Sequence, residues 1–200
     1  AAASAQVSWL DRPINNWNNA SGVVPPAPRM LVAIDPMCRS QIRAPESIAD
    51  RAVTRAGWSL FGPSQTFGPT TIVTAMAGAD GMCRPDQYNA FVFVRDRFAG
   101  TLAPEPMTAR TDGSMGLVRL NSSTELTAEF ARYTSRDALC CPSQTSTVNY
   151  SMGRGARAIV VPGDVDTAAV CREDGGEVGT MDNVVSGTVS YRQRSALPSG

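Results

Sequence analysis

Two hundred residues with zero formal net charge, 42% hydrophobic and 18% charged side chains make a sizeable folded core possible and exclude a disordered chain. A neutral balance without a basic run lacks the electrostatic footprint of a nucleic-acid binder, and no apolar stretch reaches the roughly 18 residues that span a bilayer. Histidine and lysine are both missing, which removes Ser-His, Cys-His and Ser-Lys nucleophiles, histidine-ligated zinc, Schiff-base chemistry and the P-loop.

Ala1–Gln6 (AAASAQ) reads as the small-residue end of a signal peptide, or the stub left after cleavage, and so points to export. Residues 1–30 read as an extended arm on the surface: Asn15, Asn16, Asn18 and Asn19 favour turns, and Pro25, Pro26 and Pro28 fix φ and remove donors. Trp9 and Trp17 are expected to anchor this arm by burial against the body. The competing reading makes them an aromatic platform for sugars.

One helix is predicted from about Pro45 to Ala56. Ile48, Ala49, Val53 and Ala56 recur at helical spacing, Glu46 lies in the first turn and Gly57 can end it. Beyond it the period changes to two. Strands are predicted over Thr70–Met76, Tyr88–Arg95, Phe98–Leu102, Ser114–Leu120, Glu125–Tyr133, Thr145–Met152 and Arg157–Val161. Tyr88–Val94 is almost wholly apolar, as suits a strand covered on both faces, whereas Glu125–Tyr133 alternates like a half-exposed antiparallel strand. Arg95-Asp96-Arg97 marks a tight turn. Residues 31–162 therefore read as a mainly β (α+β) domain, an antiparallel sheet or sandwich with one short helix, stabilised by disulfides.

Residues 163–183 are acidic and glycine-rich and read as a solvated linker, since no D-x-[DN]-x-[DN]-G calcium pattern occurs. Residues 184–200 begin with a strong strand, Val184–Arg194, with no hairpin partner after it. It reads either as the start of a second domain or as a strand that pairs with a neighbour. Val184, Val189 and Tyr191 join Trp9 and Trp17 as interaction candidates.

The five cysteines, Cys38, Cys83, Cys140, Cys141 and Cys171, show no C-x-x-C spacing, so a disulfide framework in an oxidising compartment fits better than a metal site. Adjacent cysteines in an extended chain point to opposite sides, so Cys140 and Cys141 can each reach a different partner. Cys38 and Cys83 are the expected partners, in either order. Cys171 is left unpaired or intermolecular.

Several stretches carry a family resemblance. Gly57-Trp58, Asp80–Arg84 (DGMCR), Gln87–Val94 (QYNAFVFV), Phe98–Pro104 (FAGTLAP) and Cys140–Ser143 (CCPS) resemble, in this order, the LppP/LprE lipoprotein family of the bacterial envelope. The resemblance covers roughly residues 57–152. It implies a place in the envelope and no catalytic residues. No lipobox cysteine stands at the start of this chain, and Cys38 lies too far inside to be acylated, so direct lipid anchoring is not expected. Residues 186–198 (SGTVSYRQRSALP) are similar to the opening strand of YbaY-type envelope lipoprotein domains.

Catalysis finds little footing. Asp35, Asp80, Asp86, Glu105 and Asp112 all sit in or beside predicted loops, but no spacing pairs two of them as a glycosidase requires. Three N-x-[ST] sequons, at Asn19, Asn121 and Asn149, arise readily by chance. The leading expectation is a non-catalytic, exported envelope protein of the periplasm or cell surface, without a cofactor. It would act as a structural or interaction module whose arm and C-terminal strand engage protein partners, either copies of itself or a larger complex. The alternative is a glycan- or polymer-binding protein using Trp9, Trp17 and Trp58; a carboxylate-dependent hydrolase is the least favoured.

Overall fold

The computed structural model describes residues 8–153 and 157–170. Cys171, the remainder of the predicted linker and the C-terminal strand with Val184, Val189 and Tyr191 lie outside the described residues.

The helix α1 spans Ile48–Arg55 and starts at a capping box, in which the Ser47 hydroxyl accepts from the Asp50 N–H and the Asp50 carboxylate accepts from the Ser47 N–H. Pro45 and Glu46 therefore precede the helix. Asp50 is buried and also takes a two-pronged ion pair from Arg43, with Nη1 to Oδ2 at 2.8 Å. Burial alone would raise the Asp50 carboxyl. The Arg43 guanidinium and the N–H groups of Ser47 and Glu46 outweigh it and hold the group well below the usual carboxylate range.

Sheet one contains β1 (Ser59–Leu60), β2 (Gln65–Phe67), β3 (Thr70–Ala79), β4 (Pro85–Val94) and β5 (Arg97–Thr101). Both β1 and β2 pair with β3, and β4 and β5 follow in order, every pair antiparallel. Sheet two is a meander of β6 (Met115–Leu120), β7 (Glu125–Arg132), β8 (Gln144–Gly153) and β9 (Ile159–Ala169). The architecture is the mainly β sandwich with one short helix expected from the periodicity. Strands β1 and β2 are additions, too short to show an alternating pattern. Residues 163–169, expected to open the linker, instead continue β9 and pair with β8 from Val165↔Val148 to Ala169↔Gln144. Their glycine and aspartates resemble a loop in composition, but Gly163, Asp164 and Asp166 are exposed on an edge strand, which tolerates them.

Two cores share sheet one. On its outer side Val73, Ala75, Phe91 and Phe93 pack with Ala49, Val53, Trp58 and Leu60 beneath the helix. On its inner side Ile72, Met76, Tyr88, Ala90 and Val92 meet Leu126, Ala128, Phe130, Val148 and Tyr150 of sheet two. This explains the unbroken apolar run of β4, whose alternate residues feed different cores. Two buried tyrosines tie the layers reciprocally. Tyr88 of sheet one donates to the Met115 carbonyl at 2.7 Å, and Tyr150 of sheet two donates to the Leu102 carbonyl just after β5.

The sandwich is closed along both sides by side-chain amides. At the β2–β6 seam the Gln65 amide donates to the Val118 carbonyl at 2.7 Å and accepts the Leu120 N–H at 3.0 Å, while the Thr70 hydroxyl donates to the Ser123 carbonyl. At the β5–β9 seam Asn18 of the arm accepts the Thr101 N–H at 2.8 Å and donates to the carbonyls of Thr101 and Val160 at 3.0 and 3.1 Å. Gly100, at φ +146°, leaves the room Asn18 occupies; a Cβ there would overlap the carboxamide.

Asn18→Ala is expected to lower stability by about 2 kcal/mol, or about 4–8 °C in Tm, because carbonyl and N–H groups at the seam lose their partners. Asn18→Asp should be worse, since a carboxylate cannot donate to the two carbonyls. Thermal unfolding of both variants checks this, and unchanged midpoints would contradict the seam.

Candidate interaction surface

The arm runs along sheet two and then turns onto the helix side. A 3-10 turn at Trp9–Asp11 buries Leu10 in the inner core, and Asp11 forms a two-pronged ion pair with Arg132 at 2.7 and 2.8 Å. Arg132 also donates to Asp112 and Ser146, so one guanidinium joins the arm, the approach to β6 and strand β8. Trp9 meets Trp17 and Phe130 edge-to-face, with centroids 5.2 and 5.1 Å apart. The Trp17 indole N–H points to the carbonyl and hydroxyl of Thr101. Further on, the Pro25 carbonyl accepts the Trp58 indole N–H at 2.8 Å and Ala27 N–H donates to the Ala56 carbonyl. The described part of the arm is thus seated on its own body through Trp9 and Trp17, and the three tryptophans that the alternative reading makes stacking faces are turned toward packing partners. Trp58 is only 3% exposed.

The cysteines pair differently from the expectation. Cys38 and Cys83 are joined to each other, with Cα atoms 5.1 Å apart, so neither serves Cys140 or Cys141. Cys38 lies buried in a 3-10 turn, Pro36–Gln41, which faces the loop between β3 and β4 that carries Cys83. Cys140 and Cys141 are bonded to each other. Their segment is a turn, closed by Cys141 N–H to the Ala138 carbonyl, so the opposite-sided geometry of an extended chain does not apply.

The loop carboxylates hold the fold locally. Asp35 caps the 36–41 turn by accepting the Met37 N–H. Asp80 accepts the N–H groups of Met82 and Arg84 and pairs with the Arg84 guanidinium; the Arg84 backbone bond chiefly keeps its carboxyl below the usual range. Asp86 accepts from the Thr108 hydroxyl and Asp112 from Arg132 and Tyr133 N–H. Asp137 accepts from Thr134 N–H, the Ser143 hydroxyl and Ser143 N–H, which lower it to about 2 and brace the turn that holds Cys140 and Cys141. These groups stand at separate points of the body and face no common cavity among those of the described residues. No cluster of metal-ligating side chains occurs among the described residues.

Two surface features escaped the sequence reading. An open groove of about 860 Å³ lies where the arm (Ser21, Val24), helix α1 and the β4–β5 hairpin converge. The hairpin turns at Arg95 and Asp96, both at positive φ, and it points exposed Arg95 and Arg97 at this groove without an ion pair among the described residues. The second feature is the edge of β9. Past the seam at Val160, Gly163–Ala169 is largely exposed and β9 is the last strand of its sheet.

Residues 65–154, from β2 to just past β8, match the model of the LppP/LprE lipoprotein family. The resemblance carried by the DGMCR, QYNAFVFV and CCPS stretches is therefore shown over this segment, slightly under half of the chain. Such a family implies an exported, envelope-associated protein, and its description names no reaction. The searches of curated proteins and of solved structures gave no match. No helix among the described residues is long and apolar enough to cross a membrane.

The two disulfides are expected to differ sharply in effect. Cys38–Cys83 closes a loop of 45 residues, so a Cys38→Ser/Cys83→Ser variant should lose about 2–4 kcal/mol, chiefly through a freer unfolded chain. Cys140→Ser/Cys141→Ser removes a link between neighbours and should leave the denaturation midpoint nearly unchanged. Peptide mapping under non-reducing conditions checks the pairing; a Cys38–Cys140 or Cys38–Cys141 peptide would contradict it.

Proposed function

We propose that the protein is a non-catalytic interaction module of the cell envelope, structural or accessory to a larger assembly, and that it takes a partner strand on the outer edge of β9. The observation that carries this reading is the split character of that strand. Its first half is closed against β5 through Asn18, while Gly163–Ala169 is paired on the β8 side only and is largely exposed. An unpaired edge presents a row of N–H and C=O groups that a further strand can satisfy, and such addition supplies affinity through backbone bonds.

Charge narrows the choice of partner. Asp164 and Asp166 discourage a second copy of β9 from lying on the first, because like charges placed across a strand pair repel. A strand carrying arginine is favoured instead. Val184–Arg194 (VVSGTVSYRQR) has that make-up, with Arg192 and Arg194 beside Val184, Val189 and Tyr191. Donated from one copy to the next, it would build a head-to-tail assembly.

Sedimentation velocity of the full chain and of a chain ending at residue 183 tests this. The full chain is expected to self-associate with rising concentration, and the shortened chain to stay monomeric and bind a peptide of residues 184–200. Thr167→Pro, which removes an N–H from the ladder strand, should weaken that binding. Monomers in both forms, with no peptide bound, would contradict the reading.

A further inference from the structure

At the opposite kind of surface, the end of the β3–β4 hairpin, apolar side chains are held outward on three adjoining segments. Asp80–Arg84 forms the loop of this hairpin, tightened by the bonds that Asp80 accepts from Met82 and Arg84. The Cys38–Cys83 disulfide fastens the Pro36–Gln41 turn beside it, and the Cys38 sulfur also lies 4.0 Å from the Asp80 carbonyl. The Met30 side chain rests on Gly78, near the end of β3, where a Cβ would collide with it. That contact brings residues 30–32 to the same end of the sheet.

The residues projected from these segments are unusually bare. Leu31 is 104% exposed, Val32 77%, Met82 70% and Met37 68%. Single exposed apolar residues need no explanation, but four such large ones around one disulfide mark a contact surface. Arg29 and Arg39 flank them, exposed and without an ion pair among the described residues. Of the nearby acids, Asp80 is paired with Arg84, while Asp35 accepts only the neutral Met37 N–H. The two arginines thus outnumber the one acid here that lacks a cationic partner among the described residues. The surface thus combines apolar loop tips with uncommitted guanidinium groups.

We propose that this end of the molecule seats on an anionic lipid bilayer. Leu31, Val32, Met37 and Met82 enter the boundary between headgroups and acyl chains, and Arg29 and Arg39 meet the lipid phosphates. Charge complementarity argues for this occupant over a protein face. Guanidinium groups on arms that keep their charge at the water side while apolar neighbours go deeper match the layering of a membrane interface. The disulfide and the Asp80 bonds hold the tips in place beforehand, so little ordering is lost on contact. This site is separate from the β9 edge, and either can fail without the other.

Co-sedimentation of the full oxidised chain with vesicles tests the proposal. Binding is expected to mixed phosphatidylglycerol and phosphatidylcholine vesicles and to be weaker on phosphatidylcholine alone. Leu31→Ser/Met82→Ser should weaken it by about tenfold or more, and Arg29→Ser/Arg39→Ser should remove the preference for the anionic lipid. All four positions are exposed, so unchanged thermal midpoints would show that the variants remain folded. No binding of the unaltered chain to anionic vesicles, or equal binding of the variants, would overturn the proposal. So would concentration-dependent self-association that Leu31→Ser/Met82→Ser abolishes without any vesicle binding, which would make the surface a contact between copies.

Discussion

Where β5 meets β9, the carboxamide of Asn18 stands in for the peptide group of a missing strand. It accepts from the Thr101 N–H and donates to the carbonyls of Thr101 and Val160, as a backbone amide in a ladder would. Gln65 does the same across β2 and β6. Raw sheet edges are costly when buried and hazardous when exposed, and a single side chain with one acceptor and one NH2 can satisfy both sides of a joint. Other contacts of the arm lie beside this one. Trp17 reaches the same Thr101, and Arg157 past the seam donates to the Ala20 carbonyl.

The closure also decides which surfaces are left. With helix α1 on the outside of sheet one and the arm along one seam, the core has few openings. Strand β9 outlasts its seam by several residues, so its far half remains an edge. The β3–β4 hairpin extends past the packed layers and is stiffened by a disulfide rather than covered. Both features lie outside the region where amide closure operates.

Much of the fold was legible in the sequence because burial imposes a period. The strands from Thr70 to Met152 and the helix around Ile48–Arg55 follow directly from alternation and helical spacing, and the apolar run in β4 announced a strand shared by two cores. The seams were not legible. Asn18 and Gln65 look like any polar residue of a loop or short strand, since a side-chain amide bonding across a joint leaves no periodic trace. Gly163, Asp164 and Asp166 hid a strand because edge strands carry the same residues as linkers. The cysteine pairing turned on whether residues 138–141 are extended or turned, which a Cys-Cys-Pro string does not decide. The Met-Cys pairs at 37–38 and 82–83 were visible, but only the disulfide brings their methionines to one surface.

Amide hydrogen exchange at Thr101 and Leu120 reports on both seams at once. Both N–H groups are bonded to side-chain carbonyls rather than to a neighbouring strand, Thr101 to Asn18 and Leu120 to Gln65. Exchange as slow as that of core amides in β4, and loss of Thr101 protection alone in Asn18→Ala, is the predicted result. Rapid exchange of both amides in the unaltered chain would mean that the seams stand open, and it would contradict the account.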